Sequence, residues 1–183
     1  MFKTLTAVLT LLFTASLLAD QPLSLDDCES AYSFTGMVGV RAGSELGSSL
    51  FRVYETFFVL ETGLRGNVNE SLEWQLDVES TLGALQRRND YGTLLHIGPI
   101  LDFKSPEGRW GIRIGFAPTL ISNSHYGPVD LGGKFHFSSS LSAYWLANQK
   151  YALLYRFQHT SNGGLRTCNP GLDLHSLGIA YRF

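Results

Sequence analysis

Near the C-terminus, the segment FQHTSNGGLRTCNPGLD (Phe157 to Asp173) sets a histidine, a serine and an aspartate within an apolar alternation. A serine hydroxyl is a weak nucleophile until a neighbouring imidazole takes its proton. The imidazole works best when a carboxylate fixes its tautomer and stabilises its protonated form. His159, Ser161 and Asp173 are the residue types that this chemistry needs, and whether they can do it depends on where the chain puts them.

Parity places them. Tyr151, Leu153, Tyr155 and Phe157 alternate with Ala152, Leu154, Arg156 and Gln158, the pattern of a two-faced strand. His159 and Ser161 end its apolar face, about 7 Å apart along the strand. Beyond the loop, Asp173 and His175 begin a second apolar face that continues through Leu177, Ile179, Tyr181 and Phe183. All three groups therefore fall on one side of neighbouring strands, at one end. With Ser161 opposite Asp173, the carboxylate would be diagonal to His159, a gap that side chains can bridge.

The rest of the chain repeats the same pattern. In SLEWQLDVESTL, Leu72, Trp74, Leu76, Val78 and Leu82 alternate with polar residues; RWGIRIGFAPTL and KFHFSSSLSAYW do likewise. Eight such segments are expected, at 32–43, 50–65, 70–85, 91–104, 108–122, 131–146, 150–161 and 173–183. Turn-forming stretches such as GSELGS, RGNVNE and KSPEG join them. Several segments exceed the roughly 5–6 residues of an ordinary soluble strand. Charged residues make up 16% of the chain, too few to form the whole solvent surface of a soluble, lipocalin-like barrel. The inverse arrangement fits better: apolar side chains to lipid, polar and small ones filling a narrow interior. The expected fold is an all-β, eight-stranded antiparallel transmembrane barrel over residues 20–183.

Residues 1–19 read as a cleaved signal peptide: Lys3, an apolar run from Leu5 to Leu18, and Ala19 before Asp20. The terminal Phe183 closes LHSLGIAYRF, which resembles the C-terminal signal of outer-membrane barrels. With both termini on the periplasmic side, loops near 44–49, 86–90, 123–130 and 162–172 face outward, and turns near 66–69, 105–107 and 147–149 face the periplasm. Cys28 and Cys168 then lie on opposite sides of the membrane, and no intrachain disulfide is expected. A net charge of −2 and the lack of a basic cluster argue against a nucleic-acid partner.

The run HTSNGG followed by NPGLD resembles the motif of the lipid A 3-O-deacylase (PagL) family, eight-stranded outer-membrane barrels with a serine-hydrolase site at the outer leaflet. The match covers about fifteen residues closely, and strand number and C-terminus agree over the mature chain. The resemblance makes Ser161 the nucleophile, His159 the general base and Asp173 the acid member, where family members carry Glu. Asp is one methylene shorter, so the contact with His159 must be closer. The resemblance also offers Asn162 and Asn169 as oxyanion donors, with the backbone N–H groups of Gly163 and Gly164 as additions. Phe157 and Leu177 would seat an acyl chain, and simple lipid contact explains them equally. The implied substrate is lipopolysaccharide of the outer leaflet, cleaved without metal or cofactor by a monomer or homodimer.

Other readings of these residues are weaker. His159, His175 and Asp173 match no strong metal-ligand spacing. His96, His136, Asp77, Glu79 and Asp102 fall on the interior face and read as a polar network. The competing function is a non-catalytic small barrel for adhesion or membrane stabilisation. A pore is disfavoured because side chains fill an eight-stranded interior.

Overall fold

Strict alternation gives long strands with one apolar and one polar face, and closing them into a cylinder hides the polar face. The computed structural model describes residues 35–45 and 51–183. The expected signal peptide, Cys28 and most of the first outer loop lie outside the described residues. Eight strands form a closed antiparallel barrel: β1 (Gly36–Glu45), β2 (Phe51–Asn69), β3 (Leu72–Arg87), β4 (Asp90–Lys104), β5 (Trp110–Ile121), β8 (Phe135–Leu146), β9 (Tyr151–Ser161) and β10 (Leu172–Arg182). Each pairs with its neighbour in sequence, and β1 closes on β10 with Val40 opposite Ile179.

Two boundaries differ from the sequence expectation. The turn placed at 66–69 is strand: β2 runs to Asn69 and β3 starts at Leu72, around a bulge between Glu61 and Leu64. The side chain of Asn69 accepts the Ser71 N–H at 2.8 Å, so the reversal is made by two residues. The outer turn expected at 86–90 likewise shrinks to Arg88–Asn89, with Arg88 at a φ of 52°.

The barrel is inside out relative to a soluble protein. Val40, Ile97, Ile112, Ile114, Phe116 and Leu141 are among the large apolar residues exposed on its outer wall. Arg41, Glu55, Glu79, Asp102, Arg113 and Arg156 are buried within. Buried charges are tolerable only when paired, and these are. Arg41 contacts Glu55 and Glu79, Arg156 reaches Glu79 at 2.8 Å, and Arg113 reaches Asp102 at 3.0 Å. His96, His136 and Asp77 are buried in the same interior. Such a surface is stable only against hydrocarbon, as in a membrane-spanning barrel.

At the barrel end that carries the loop after β9 the interior turns apolar. Phe51, Val53, Leu85, Leu94, Ile121 and Leu174 cluster beneath a small hairpin, β6 (His125–Tyr126) and β7 (Val129–Asp130). The sequence expectation for this segment is a loop, and the structure makes part of it a hairpin. Tyr126 is fully buried in the cluster, and Arg87 donates to its carbonyl at 2.9 Å. Burial, reinforced by Asp90, pushes the Tyr126 phenol up to about 12. The hairpin thus closes the mouth and gives the loop after β9 something to lean on.

Candidate active site

Residues 151–161 and 172–182 pair antiparallel, so whatever ends the outer face of β9 meets whatever begins that of β10. The observed register differs from the expected one. Asp173 is directly opposite His159, not diagonal to it, and Leu172 is opposite Thr160. The cause is local. At Asn162 the chain leaves the ladder, because its N–H is taken by Asn169 Oδ1 at 3.0 Å and its carbonyl by the Leu165 N–H at 3.1 Å. Gly171, at φ 73°, then returns the chain directly into β10.

The direct register brings the short Asp173 side chain within reach of the imidazole. His159 Nδ1 and Asp173 Oδ1 are 2.6 Å apart. With Nδ1–H donating to the carboxylate, Nε2 is left as the basic nitrogen. The two side chains are 46% and 56% exposed, so the pair contributes little to stability. Its effect is to orient the ring. Ser161 is on the same outer face, half-buried, and its hydroxyl has no hydrogen-bond partner among the described residues. Behind Ser161 lies a void of only about 10 Å³, bordered by Ile121, Leu131, His136 and Thr160. That is room for one water at most, so a substrate can reach the hydroxyl only from the outer wall.

The four suggested oxyanion donors do not share one situation. The Asn162 side chain is fully buried; its Nδ2 donates to Gly132 O at 3.2 Å and Cys168 O at 2.7 Å, and its Oδ1 accepts the Gly164 N–H at 3.0 Å. That amide and the Gly164 N–H are therefore spent on holding the loop. Asn169 is exposed and uses Oδ1 on Asn162 N–H, which leaves its Nδ2 without a partner among the described residues. The Gly163 N–H is likewise without a partner among the described residues. The inward turn of Asn162 follows from parity: the residue after an outward Ser161 points into the barrel. Cys168 is a free, exposed thiol that donates to Asp130 O at 3.1 Å.

The loop after β9 is thus tied to the mouth hairpin by Asn162 and Cys168. Asn162→Ala leaves three backbone groups unpaired, at about 1–3 kcal/mol for each that stays buried. A lower thermal midpoint together with a fall in any activity of Ser161 is expected; an unchanged midpoint would contradict the clamp. Gly171 matters differently. A Cβ there would stand 3.2 Å from His159 Cε1, at a backbone angle that L-residues avoid. Gly171→Ala is expected to displace the ring and lower turnover about tenfold or more. Wild-type kinetics in that variant would show that ring placement is not critical.

Phe157 packs against His175, ring centres 4.9 Å apart, on the membrane side of the His159–Asp173 pair. Leu177, 70% exposed, borders an open groove of about 770 Å³ on the outer wall, lined also by Val40, Tyr54, Leu82, Leu153 and Ile179. The sequence places His175 on the outward face of its strand and assigns it no partner. The structure joins its Nδ1 to the Tyr155 hydroxyl, a contact that parity allowed but could not assign.

A family model described as Lipid A 3-O-deacylase (PagL) matches residues 54–182. The protein called Lipid A deacylase PagL from Bordetella bronchiseptica is 29% identical over 75 residues, which span 41% of this chain and 42% of that one. The match therefore spans less than half the length of that curated relative. A solved structure, described as the crystal structure of the outer membrane enzyme PagL, superposes with a TM-score of 0.69. It is 18% identical in sequence and covers 79% of this chain and 97% of its own, which shows the same barrel fold.

Proposed function

The chain belongs to the lipid A 3-O-deacylase (PagL) family, and on that premise we propose that it is an outer-membrane serine esterase that removes the ester-linked 3-hydroxyacyl chain from the 3-position of lipid A. The observation that carries this reading is the 2.6 Å contact of His159 with Asp173 on the outer wall, two residues from Ser161. Three polar side chains in a lipid-facing stripe are costly there unless they are used.

In the mechanism, His159 Nε2 takes the Ser161 proton as Oγ attacks the ester carbonyl. Asp173 holds the Nδ1–H tautomer and stabilises the imidazolium that forms. The tetrahedral oxyanion receives hydrogen bonds from Asn169 Nδ2 and the Gly163 N–H, while Asn162 and Gly164 hold the loop that carries them. The imidazolium returns its proton to the sugar oxygen as the C–O bond breaks. A water, deprotonated by the same imidazole, then attacks the acyl-serine, and the imidazolium returns that proton to Ser161 Oγ as the fatty acid leaves. The departing chain lies over Phe157 toward the groove beside Leu177. Residues 1–19 act as the export signal, and the site faces the outer leaflet, where lipopolysaccharide resides.

Folded protein in detergent is expected to release a 3-hydroxy fatty acid from lipopolysaccharide, and a fluorophosphonate is expected to label Ser161 and to fail on His159→Ala. Lack of acyl release by protein that runs as a folded, heat-modifiable band would overturn the reading.

A further inference from the structure

The strand register sets a further polar side chain in the row of His159. Asp173 of β10 is directly opposite His159 on one side, and Ser139 of β8 is directly opposite it on the other. Parity turns Ser139 outward: Ser138 and Ser140 are buried within the barrel, and Ser139 is exposed on the wall. Its hydroxyl has no hydrogen-bond partner among the described residues. The wall around it is apolar. Phe137 and Leu141 flank it along β8, and Phe116 of β5 is opposite it. A hydroxyl with no partner in such a stripe is unfavourable.

The imidazole and this hydroxyl leave a gap between them. Directly opposite residues that share a face have Cβ atoms about 4.5–5.5 Å apart. His159 gives its Nδ1 edge to Asp173, at 2.6 Å, so the edge that ends in Nε2 faces β8. A Cβ on Gly171 would stand 3.2 Å from His159 Cε1, so the tip of the ring leans toward the Ser161 end of the strands. Nε2 is thereby placed between Ser161 on its own strand and Ser139 on the next. The imidazole reaches well out from the wall and a serine hydroxyl stays close to it. The space left between Nε2 and Ser139 Oγ is about that of one water molecule.

We propose that Ser139 is a positioning residue that holds the hydrolytic water beside His159 while the acyl chain is on Ser161. The inference rests on the deacylase reading above. Water is scarce against a lipid-facing wall, and a held water needs at least two polar partners. Nε2 is one and the Ser139 hydroxyl is the other; Asp173 is spent on Nδ1. The water donates one O–H to Nε2 and the other to Ser139 Oγ, which leaves a lone pair for the acyl carbonyl. As the water oxygen bonds to the carbonyl carbon, the first proton passes to Nε2. The bond from that carbon to Ser161 Oγ then breaks, Oγ takes the proton back, and the fatty acid leaves. Ser139 exchanges no proton. The first half of the reaction, attack by Ser161, does not use this water.

The test uses full-length, detergent-folded protein and lipopolysaccharide, with quenched samples read by intact-protein mass spectrometry for an acyl chain on Ser161. In Ser139→Ala the adduct is expected to decay about tenfold more slowly than in wild type, the effect of one hydrogen bond, while kcat/KM, fixed by the steps up to acylation, changes less than about twofold. Ser139→Thr, which keeps a hydroxyl, restores the decay. Added hydroxylamine, a nucleophile that replaces the water, speeds decay more in Ser139→Ala than in wild type. A serine that only supports the wall would instead lower kcat/KM and the rate of fluorophosphonate labelling at Ser161. That result overturns the water site, and so does adduct decay in Ser139→Ala at the wild-type rate; both leave the deacylase reading intact. Wild type that releases no acyl chain removes the deacylase reading itself.

Discussion

Ser161→Ala is expected to lower acyl release from lipopolysaccharide by at least about 1,000-fold, with the barrel unchanged in heat-modifiable migration. The serine is half-buried on the outer wall and its hydroxyl has no partner among the described residues, so its loss removes the attacking atom without opening the fold. Binding determinants and oxyanion donors remain, so a small residual rate is expected over spontaneous hydrolysis. Ser161→Cys separates the roles further. It restores a nucleophile at the same place, and covalent labelling should return even where turnover does not. A Ser161→Ala protein that keeps its rate would place the chemistry elsewhere.

The second large effect concerns the carboxylate. Asp173→Asn keeps the shape but presents an amide, which can hold the wrong tautomer and cannot stabilise the imidazolium. Turnover should fall by about 100-fold or more, with KM little changed. Asp173→Glu should keep much of the activity. The register places residue 173 directly opposite His159 with more than half of its side chain exposed, so the longer arm has room to bend back. Equal rates for Asp, Asn and Glu at 173, measured on lipopolysaccharide at saturating concentration, would remove the residue from the mechanism. Because the pair is on the surface, none of these changes should shift the thermal midpoint much.

The alternation of apolar and polar residues carried most of the fold. It marked all eight barrel strands, because each strand must meet hydrocarbon on one side and a filled interior on the other. What it could not carry were features set by loops. The offset between β9 and β10 depends on where Asn162 leaves the ladder and where Gly171 re-enters it, and neither event changes the pattern of apolar residues. The β6–β7 hairpin is too short for a period to register, yet Tyr126 from it sits at the centre of the mouth cluster. The overrun of β2 to Asn69 was hidden by a glycine and two asparagines that read as a turn.

The site divides in the same way. Parity set His159, Ser161 and Asp173 on one wall, but the strength of the His–Asp contact follows from register, which only the structure supplies. For Asn162, the family resemblance drew attention to its amide as a donor. Its three hydrogen bonds show that this amide serves the loop instead. His175 was visible as an outward polar residue, and its partner Tyr155 was hidden among the aromatic residues of an apolar stripe.

The most direct measurement is mass spectrometry of lipid A from cells expressing the protein, the Ser161→Ala variant, or neither. Wild type is expected to yield a species lighter by one ester-linked 3-hydroxyacyl chain, absent from both other samples. Lipid A of identical mass in all three, with wild-type protein folded in the outer membrane, would contradict the account, and so would the lighter species in the Ser161→Ala cells.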